Sequence, residues 1–295
     1  MHCLITGGTG LIGRALCAEL LGEGHAVTVL TRSVEQAQRV LPANAKPVEH
    51  LNLVRNVDAI VNLAGENLSA RRWTPRRKNL FRRSRLDATR ALVRWIGTQP
   101  RKPEVLVSGS AIGFYGARDD EALDEDSGAG HDFGAGLCWD WETEALSAEA
   151  LGVRVCRLRT GIVLAPDGGA LAQMLPPFRY GLGGPLGNGR QWMSWIHRAD
   201  LTALIRWLLV HESAGGPWNG TAPNPVRNRD FARALGRALH RPAFLPMPGF
   251  VLRPLVGEMA ELLLTGQRVL PQRALAGGFR FRYETLEGAL GDLVR

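Results

Sequence analysis

Ile5-Thr6-Gly7-Gly8-Thr9-Gly10-Leu11-Ile12-Gly13 is the stretch that decides the fold of this chain. Gly7, Gly10 and Gly13 stand in a GxxGxxG spacing between an apolar run, Cys3-Leu4-Ile5, and a helical stretch. A loop of this composition turns tightly off a strand, brings bare backbone N–H groups up to a phosphate and lets the next helix pack close. A glycine triplet alone is weak evidence. At the start of a strand–helix–strand unit it predicts a bound dinucleotide, the alternative being a tight turn that holds no ligand.

The rest of the chain continues the alternation. Strand-like runs cover Cys3 to Thr6, Ala26 to Thr31, Val57 to Leu63, Val105 to Val107 and Val153 to Leu158. Helical patterns cover Leu11 to Leu21, Pro75 to Ile96, Leu137 to Ala150, Asp200 to His211 and Asn228 to Leu239. This order predicts an α/β protein, a doubly wound parallel sheet with crossover helices and a smaller C-terminal substrate-side lobe. Pro176-Pro177, Gly183-Gly184-Pro185 and Gly187-Asn188-Gly189 mark a long irregular segment. The acidic run Asp119 to Asp126 reads as a solvated loop, since its spacing fits no cation-binding pattern.

Composition bounds the function class. The chain has 295 residues, 45% hydrophobic and 22% charged, as in globular proteins with a real core. No apolar run approaches the roughly 20 residues that span a bilayer, and the N-terminal stretch makes a poor signal peptide. Cys3, Cys17, Cys138 and Cys156 form no CxxC pair, which fits a reduced, cytoplasmic protein without a bound metal. The net charge of +8 is uneven: residues 1–102 hold fourteen arginines and three lysines against seven acids. The densest run, Arg71 to Arg85, reads as a solvated helix face, because no nucleic-acid module accompanies it.

The end of the second strand speaks to the dinucleotide. NAD enzymes place an acid there for the ribose 2′-hydroxyl. This chain has Leu30-Thr31-Arg32-Ser33 instead, so Arg32 is expected to pair with the 2′-phosphate of NADP(H), with Thr31 or Ser33 adding hydroxyls.

Several segments resemble extended short-chain dehydrogenases/reductases. Asn62-Leu63-Ala64-Gly65 is similar to that group's turn beside the adenine and ribose. Val107-Ser108-Gly109-Ser110-Ala111 resembles the strand that delivers its catalytic serine, and Trp195-Ile196-His197-Arg198-Ala199-Asp200 its Ile-His-Val-x-Asp segment. Gly65-Glu66-Asn67, Arg72-Trp73, Ser84-Arg85, Trp141-Glu142, Arg159-Thr160-Gly161 and Gly266-Gln267-Arg268 further resemble the YfcH-like epimerase-family proteins, nearly over the full length. That resemblance implies a Rossmann epimerase-like domain over 1–240 and a small C-terminal domain of unknown function over 246–293. It implies NADP(H) contacts from Gly7, Thr9, Gly10, Leu11, Ile12 and Gly13, from Thr31 and Arg32, from Leu63, Ala64 and Gly65, and from Arg85, Ser108 and Val163.

The catalytic pattern of the superfamily is broken. Its usual chemistry needs a Tyr and, four residues on, a Lys whose charge lowers the phenol's pKa. The lysines here are Lys46, Lys78 and Lys102, and none stands four residues after Tyr115, Tyr180 or Tyr283. In the helix where the pair belongs, Cys138 and Glu142 have the i, i+4 spacing and are the nearest stand-ins. A carboxylate raises a thiol's pKa, so this pair cannot do the Tyr–Lys job unchanged. The plain alternatives are a packed helix residue for Cys138 and a surface carboxylate for Glu142. Ser110 is expected to orient a carbonyl, with Tyr115 or a water handling the proton. His197 reads as structural.

Two functions of different class follow. One is an NADP(H)-dependent oxidoreductase or epimerase-like enzyme acting on a small polar substrate, such as a sugar nucleotide. The other is a catalytically weak NADP(H)-binding module that reports redox state to a partner. A homodimer is one candidate assembly. No membrane and no nucleic-acid partner is expected.

Overall fold

A computed structural model describes residues 1–68 and 72–294, so Arg71 of the basic run lies outside the described residues. The apolar runs assemble into one seven-stranded sheet. Its spatial order is Gly216–Gly220, Arg154–Thr160, Val105–Ala111, Ala59–Asn62, His2–Thr6, Ala26–Leu30 and Lys46–Val48. Every neighbouring pair is parallel. The chain reverses its direction of growth between His2–Thr6 and Ala59–Asn62. At such a switch point the loops after the strands diverge and leave a crevice at the carboxyl edge.

Alternation along the strands sends side chains to both faces. Cys3, Ile5, Val29, Val61 and Val107 pack on one face with Leu16, Leu20, Leu204 and Leu208 of flanking helices. Leu4, Ile60, Leu106 and Val155 pack on the other with Leu92, Ile96 and Ala145. Each fully buried aliphatic side chain contributes about 1.5–3 kcal/mol, so both layers are strongly held.

Several boundaries differ from expectation, for identifiable reasons. The fourth expected strand, from Val105, continues to Ala111, because Ser108, Gly109 and Ser110 stay in register with Arg157, Leu158 and Arg159 next door. The helix expected from Leu137 starts at Phe133, where the Asp132 carboxylate caps it by accepting from Ala135 N–H at 2.8 Å. It ends at Leu146, before a short 3₁₀ turn over Glu149–Leu151. Pro176-Pro177 lies inside a helix, Gly169–Arg179, and not in irregular chain. A proline inside a helix costs about 3 kcal/mol, and burial of Leu171, Leu175 and Phe178 offsets that cost. Glu125 of the acidic run is buried and accepts from Asn219 N–H at 3.0 Å and Arg273 N–H at 3.3 Å, so that run is not wholly solvated. Burial raises the Glu125 pKa.

The chain beyond residue 248 folds back on the site side. Arg268–Val269 pairs in parallel with Ala122–Leu123, while Leu286, Leu290 and Leu293 share a core with Phe231 and Leu235. The basic run forms part of a long helix, Pro75–Thr98, whose cations are mostly tied into the fold: Lys78 pairs with Glu258 and Arg82 with Asp140. Among the described residues, no helix is long and apolar enough to cross a membrane.

Candidate functional site

The glycine loop forms a cradle against the turn after the Ala59–Asn62 strand. Gly7 has φ +68°, and a Cβ there would lie 2.5 Å from the Leu63 carbonyl oxygen. A Cβ on Gly13 would lie 2.4 Å from the Gly7 carbonyl oxygen. Only bare backbone fits at either place. The following helix, Leu11–Gly22, has Gly10 as its N-cap with no side-chain cap. Its first internal bond is Arg14 N–H to Gly10 O at 3.0 Å. The N–H groups of Leu11, Ile12 and Gly13 therefore have no acceptor within the helix, which favours an anion such as a pyrophosphate.

A cavity of about 510 Å³ runs from this loop along the strand ends, lined by Gly7, Thr9, Gly10, Thr31, Arg32, Leu63, Ala64 and Gly65. Arg32 is exposed and makes no ion pair among the described residues. Glu49 shares this wall, a residue the sequence reading missed because it follows a third strand, Lys46–Val48, that was not expected. Its Oε1 accepts from Val34 N–H at 3.2 Å. A buried relay also ties the two loops together. The Thr6 hydroxyl donates to Asn62 Oδ1 at 2.7 Å and accepts from Ala64 N–H at 3.2 Å.

A second cavity, about 350 Å³, lies beyond Leu63 and Ile12 and is lined by Ser110, Cys138, Arg85, Trp73 and Trp141 among others. Ser110 stands at its floor, and its hydroxyl donates to Glu142 Oε1 at 2.8 Å. Glu142 is 3% exposed and is gripped by Arg159: Nε donates to Oε1 at 2.8 Å and an Nη to Oε2 at 3.0 Å. Arg157 adds a third donor to Oε2 at 3.2 Å. Glu142 is thus neither a surface carboxylate nor a cavity-facing base. It orients Ser110 from below. Pairing a buried acid with two guanidinium groups is what makes its burial tolerable.

Two expected roles need correction. Tyr115 is 0% exposed and lines neither cavity; its hydroxyl donates to Asn219 Oδ1 at 2.7 Å and accepts from Arg159 at 3.0 Å. Burial pushes its pKa up to about 12, against the opposing pull of Arg159. It is a strut between the 3₁₀ turn Ile112–Tyr115 and the Gly216–Gly220 strand, out of a substrate's reach. Ser108 is also buried, with its Oγ turned to Asn62 Nδ2 at 3.4 Å, so it underlies the cofactor crevice without lining it.

Of the remaining expected residues, Ile12 lines the second cavity, while Leu11, Gly13 and Val163 stand outside the lining of both. Arg85 faces the second cavity and not the first. It donates to the Phe81 and Glu66 carbonyls, both at 3.2 Å, and lies over the Trp141 ring. His197 caps a helix by accepting from Ala199 N–H at 3.1 Å and stacks on Tyr283, the structural role expected.

Burial pushes the Cys138 thiol up to about 11, with Glu142 adding to the effect, so at neutral pH it is an S–H group and no nucleophile. Cys17 and Cys156 are raised to about 12 and about 11, and Cys3 is raised further. Iodoacetamide at pH 7 is therefore expected to leave all four thiols of the folded protein unmodified over an hour and to label all four after unfolding, read by intact mass. Rapid labelling at Cys138 alone would show that the thiolate is present.

With this geometry in hand, relatives are informative. Residues 3–219 match the NAD dependent epimerase/dehydratase family, and residues 247–293 a domain of unknown function, DUF1731. The chain is 45% identical to the "epimerase family protein SDR39U1 homolog, chloroplastic" of Arabidopsis thaliana, covering all of this chain and 87% of that protein. It is 38% identical to the epimerase family protein YfhF of Bacillus subtilis, covering 100% and 98%. Among solved structures, human epimerase family protein SDR39U1 (isoform 2) with NADPH superposes with TM-score 0.90 at 35% identity over 99% of both chains. A UDP-glucuronic acid 4-epimerase of Bacillus cereus shares the fold alone, with TM-score 0.79 at 15% identity over 99% and 98%.

Proposed function

The chain belongs to the NAD dependent epimerase/dehydratase family, and on that premise we propose that it is an NADP(H)-dependent oxidoreductase whose substrate carbon is held beside Ser110. The observation that carries this reading is the buried Ser110–Glu142–Arg159 array at the end of a central strand, opening into a cavity that shares the Leu63 wall with the glycine-loop crevice. The glycine cradle and the free N–H groups after Gly10 would hold the pyrophosphate, Arg32 the 2′-phosphate, and Ala64 and Gly65 the adenosine side. When bound, NADP(H) supplies or accepts a hydride.

The protein's own groups do the positioning. Ser110 spends its proton on Glu142, so it turns its lone pairs to the cavity and accepts from a substrate hydroxyl. To receive a carbonyl, its O–H must rotate away from Glu142. Arg159 and Arg157 keep Glu142 fixed while this happens. Tyr115 is walled off, so the substrate proton exchanges with water in the cavity. Ser110→Ala is expected to lower NADPH-dependent turnover of an accepted carbonyl by at least about tenfold, leaving NADPH affinity within about twofold. Unchanged turnover in Ser110→Ala would overturn the mechanism.

The preference for NADP(H) has its own test. A guanidinium–phosphate pair in a partly exposed site contributes roughly 1–2 kcal/mol. Arg32→Ala is therefore expected to weaken NADPH binding about tenfold, with NADH binding unchanged, in a fluorescence titration. Equal losses for both dinucleotides would mean that Arg32 does not read the 2′-phosphate.

A second reading is favoured by the state of the candidate groups: Glu142 is clamped beneath Ser110 by Arg159, Cys138 is a high-pKa thiol and Tyr115 is buried. On that reading the protein binds NADP(H) and reports its redox state to a partner. Pull-downs with oxidised and reduced cofactor test it, and identical partners in both would count against sensing.

A further inference from the structure

The walls around Ser110 are chemically one-sided, and we propose that the substrate is an apolar, ring-bearing ketone, or its secondary alcohol, that carries no phosphate. This rests on the hydride-transfer reading and departs from the sugar nucleotide expected from sequence. The inner cavity is built mainly from Ile112, Phe133, Leu137 and Leu262 with the rings of Trp73 and Trp141, and Thr160, Thr265 and Gln267 add the few uncharged polar side chains besides Ser110. Its volume, about 350 Å³, lies within the range of small-molecule pockets.

The indoles offer the cavity rings and no donors. Trp73 Nε1 donates to the Leu68 carbonyl at 2.9 Å and Trp141 Nε1 to Thr89 Oγ1 at 3.1 Å. Trp192, at the third side, donates to Asp120 at 2.8 Å. Trp73 also sits edge-on to Phe133, with ring centroids 5.5 Å apart, which fixes both rings as a rigid wall.

Charge is scarce where a diphosphate would need it. Among the described residues, Arg85 is the one formally charged side chain lining the inner cavity, and two of its nitrogens are committed to the Phe81 and Glu66 carbonyls. Burial holds its pKa below the ordinary guanidinium value. Beyond Trp192 the neighbouring cavity does hold Arg190, Arg227 and Arg229, but with Asp119 and Asp120 among them, and Arg227 is paired to Asp120. A pyrophosphate there would face two carboxylates. Toward solvent, the inner cavity continues past Leu262 and Ala260 into a space of about 540 Å³, whose rim carries the Lys78–Glu258 ion pair. The route from solvent is thus an ionic rim leading to an apolar interior, with Ser110 as a polar anchor at its floor. That arrangement anchors a molecule by an oxygen at Ser110 and takes up most of the rest of it by burial.

The step balances simply. The carbonyl carbon takes the hydride, its oxygen takes a proton from water, and the dinucleotide is released oxidised.

The test pairs a binding readout with a turnover readout. Binding of 1-tetralone and of UDP-glucose to the NADP⁺-loaded protein is measured by calorimetry, with NADPH oxidation followed for the ketone and NADP⁺ reduction for the sugar nucleotide. Tetralone is expected to bind at least tenfold more tightly than UDP-glucose. Leu262, 45% exposed, can be changed without disturbing the core; Leu262→Glu is expected to weaken tetralone at least fivefold, leaving NADPH affinity and the thermal midpoint unchanged. Phe133→Asn should act in the same direction. Tighter binding of UDP-glucose, or binding of neither probe, overturns the proposal. Tetralone binding without NADPH oxidation would leave the ligand class standing and remove the hydride reading; NADP⁺ reduction with UDP-glucose alone would do the reverse.

Discussion

Gly13→Ala is expected to reduce NADPH affinity by about two orders of magnitude and to lower folding stability by about 1–3 kcal/mol. The added methyl would stand 2.4 Å from the Gly7 carbonyl oxygen and 2.5 Å from Gly8 Cα. Both are backbone atoms of the loop itself, so no side-chain rotation relieves the contact. The loop must open, and opening it displaces the N–H groups that would receive a pyrophosphate. Gly22→Ala, at the end of the same helix, is the control, since a Cβ there meets nothing within 4 Å. Removing a helical glycine at an open position stabilises by up to about 1 kcal/mol, so this variant should bind NADPH as the parent does and unfold slightly later. Urea unfolding and NADPH fluorescence titration read both quantities. Parental affinity in Gly13→Ala would show that the cradle is not the dinucleotide site.

Arg159→Met is expected to cost about 3–5 kcal/mol, a large share of the roughly 5–15 kcal/mol that holds a domain together. Glu142 is 3% exposed and would lose its two bonds to Arg159, keeping Ser110 and Arg157. The Tyr115 hydroxyl would lose a donor as well. The double variant Arg159→Met with Glu142→Leu removes both charges and should recover more than half of the loss, because the cost lies in the uncompensated charge and not in the missing bond. Two independent losses that simply add would show that Arg159 and Glu142 do not act as a pair. The double variant also loses the carboxylate that orients Ser110. It should therefore stay folded with turnover no better than Ser110→Ala, which separates positioning from stability.

Much of the cofactor half was legible in the chain itself. The glycine spacing, the strand before it, the helix after it and the missing acid after Leu30 are local features, each decided within a dozen residues. The catalytic half was legible only as a gap. Lysine counts exclude a Tyr–Lys pair, and the i, i+4 spacing names Cys138 and Glu142, but neither says which way a side chain turns. Arg159 was visible as part of a family-like segment without any signal of its role. Its meaning depends on the register that sets Ser110 opposite Arg159 across two strands. Tyr115 was misread because proximity to Ser110 in sequence says nothing about the 3₁₀ turn that rotates its ring toward Asn219.

By itself, then, the sequence determined a parallel doubly wound sheet, a dinucleotide loop and the loss of the standard acid–base pair, since these depend on periodicity, short spacing and residue identity. Tertiary structure decided the rest. It converted Glu142 from a stand-in at the lysine position of the missing pair into the support of Ser110, withdrew Tyr115 from the cavity, and brought Leu262 from the C-terminal segment to face Trp73 and Phe133 from far earlier in the chain. These outcomes depend on which elements pack together and on how buried charge is compensated. Both are long-range properties, and no short window of residues encodes them.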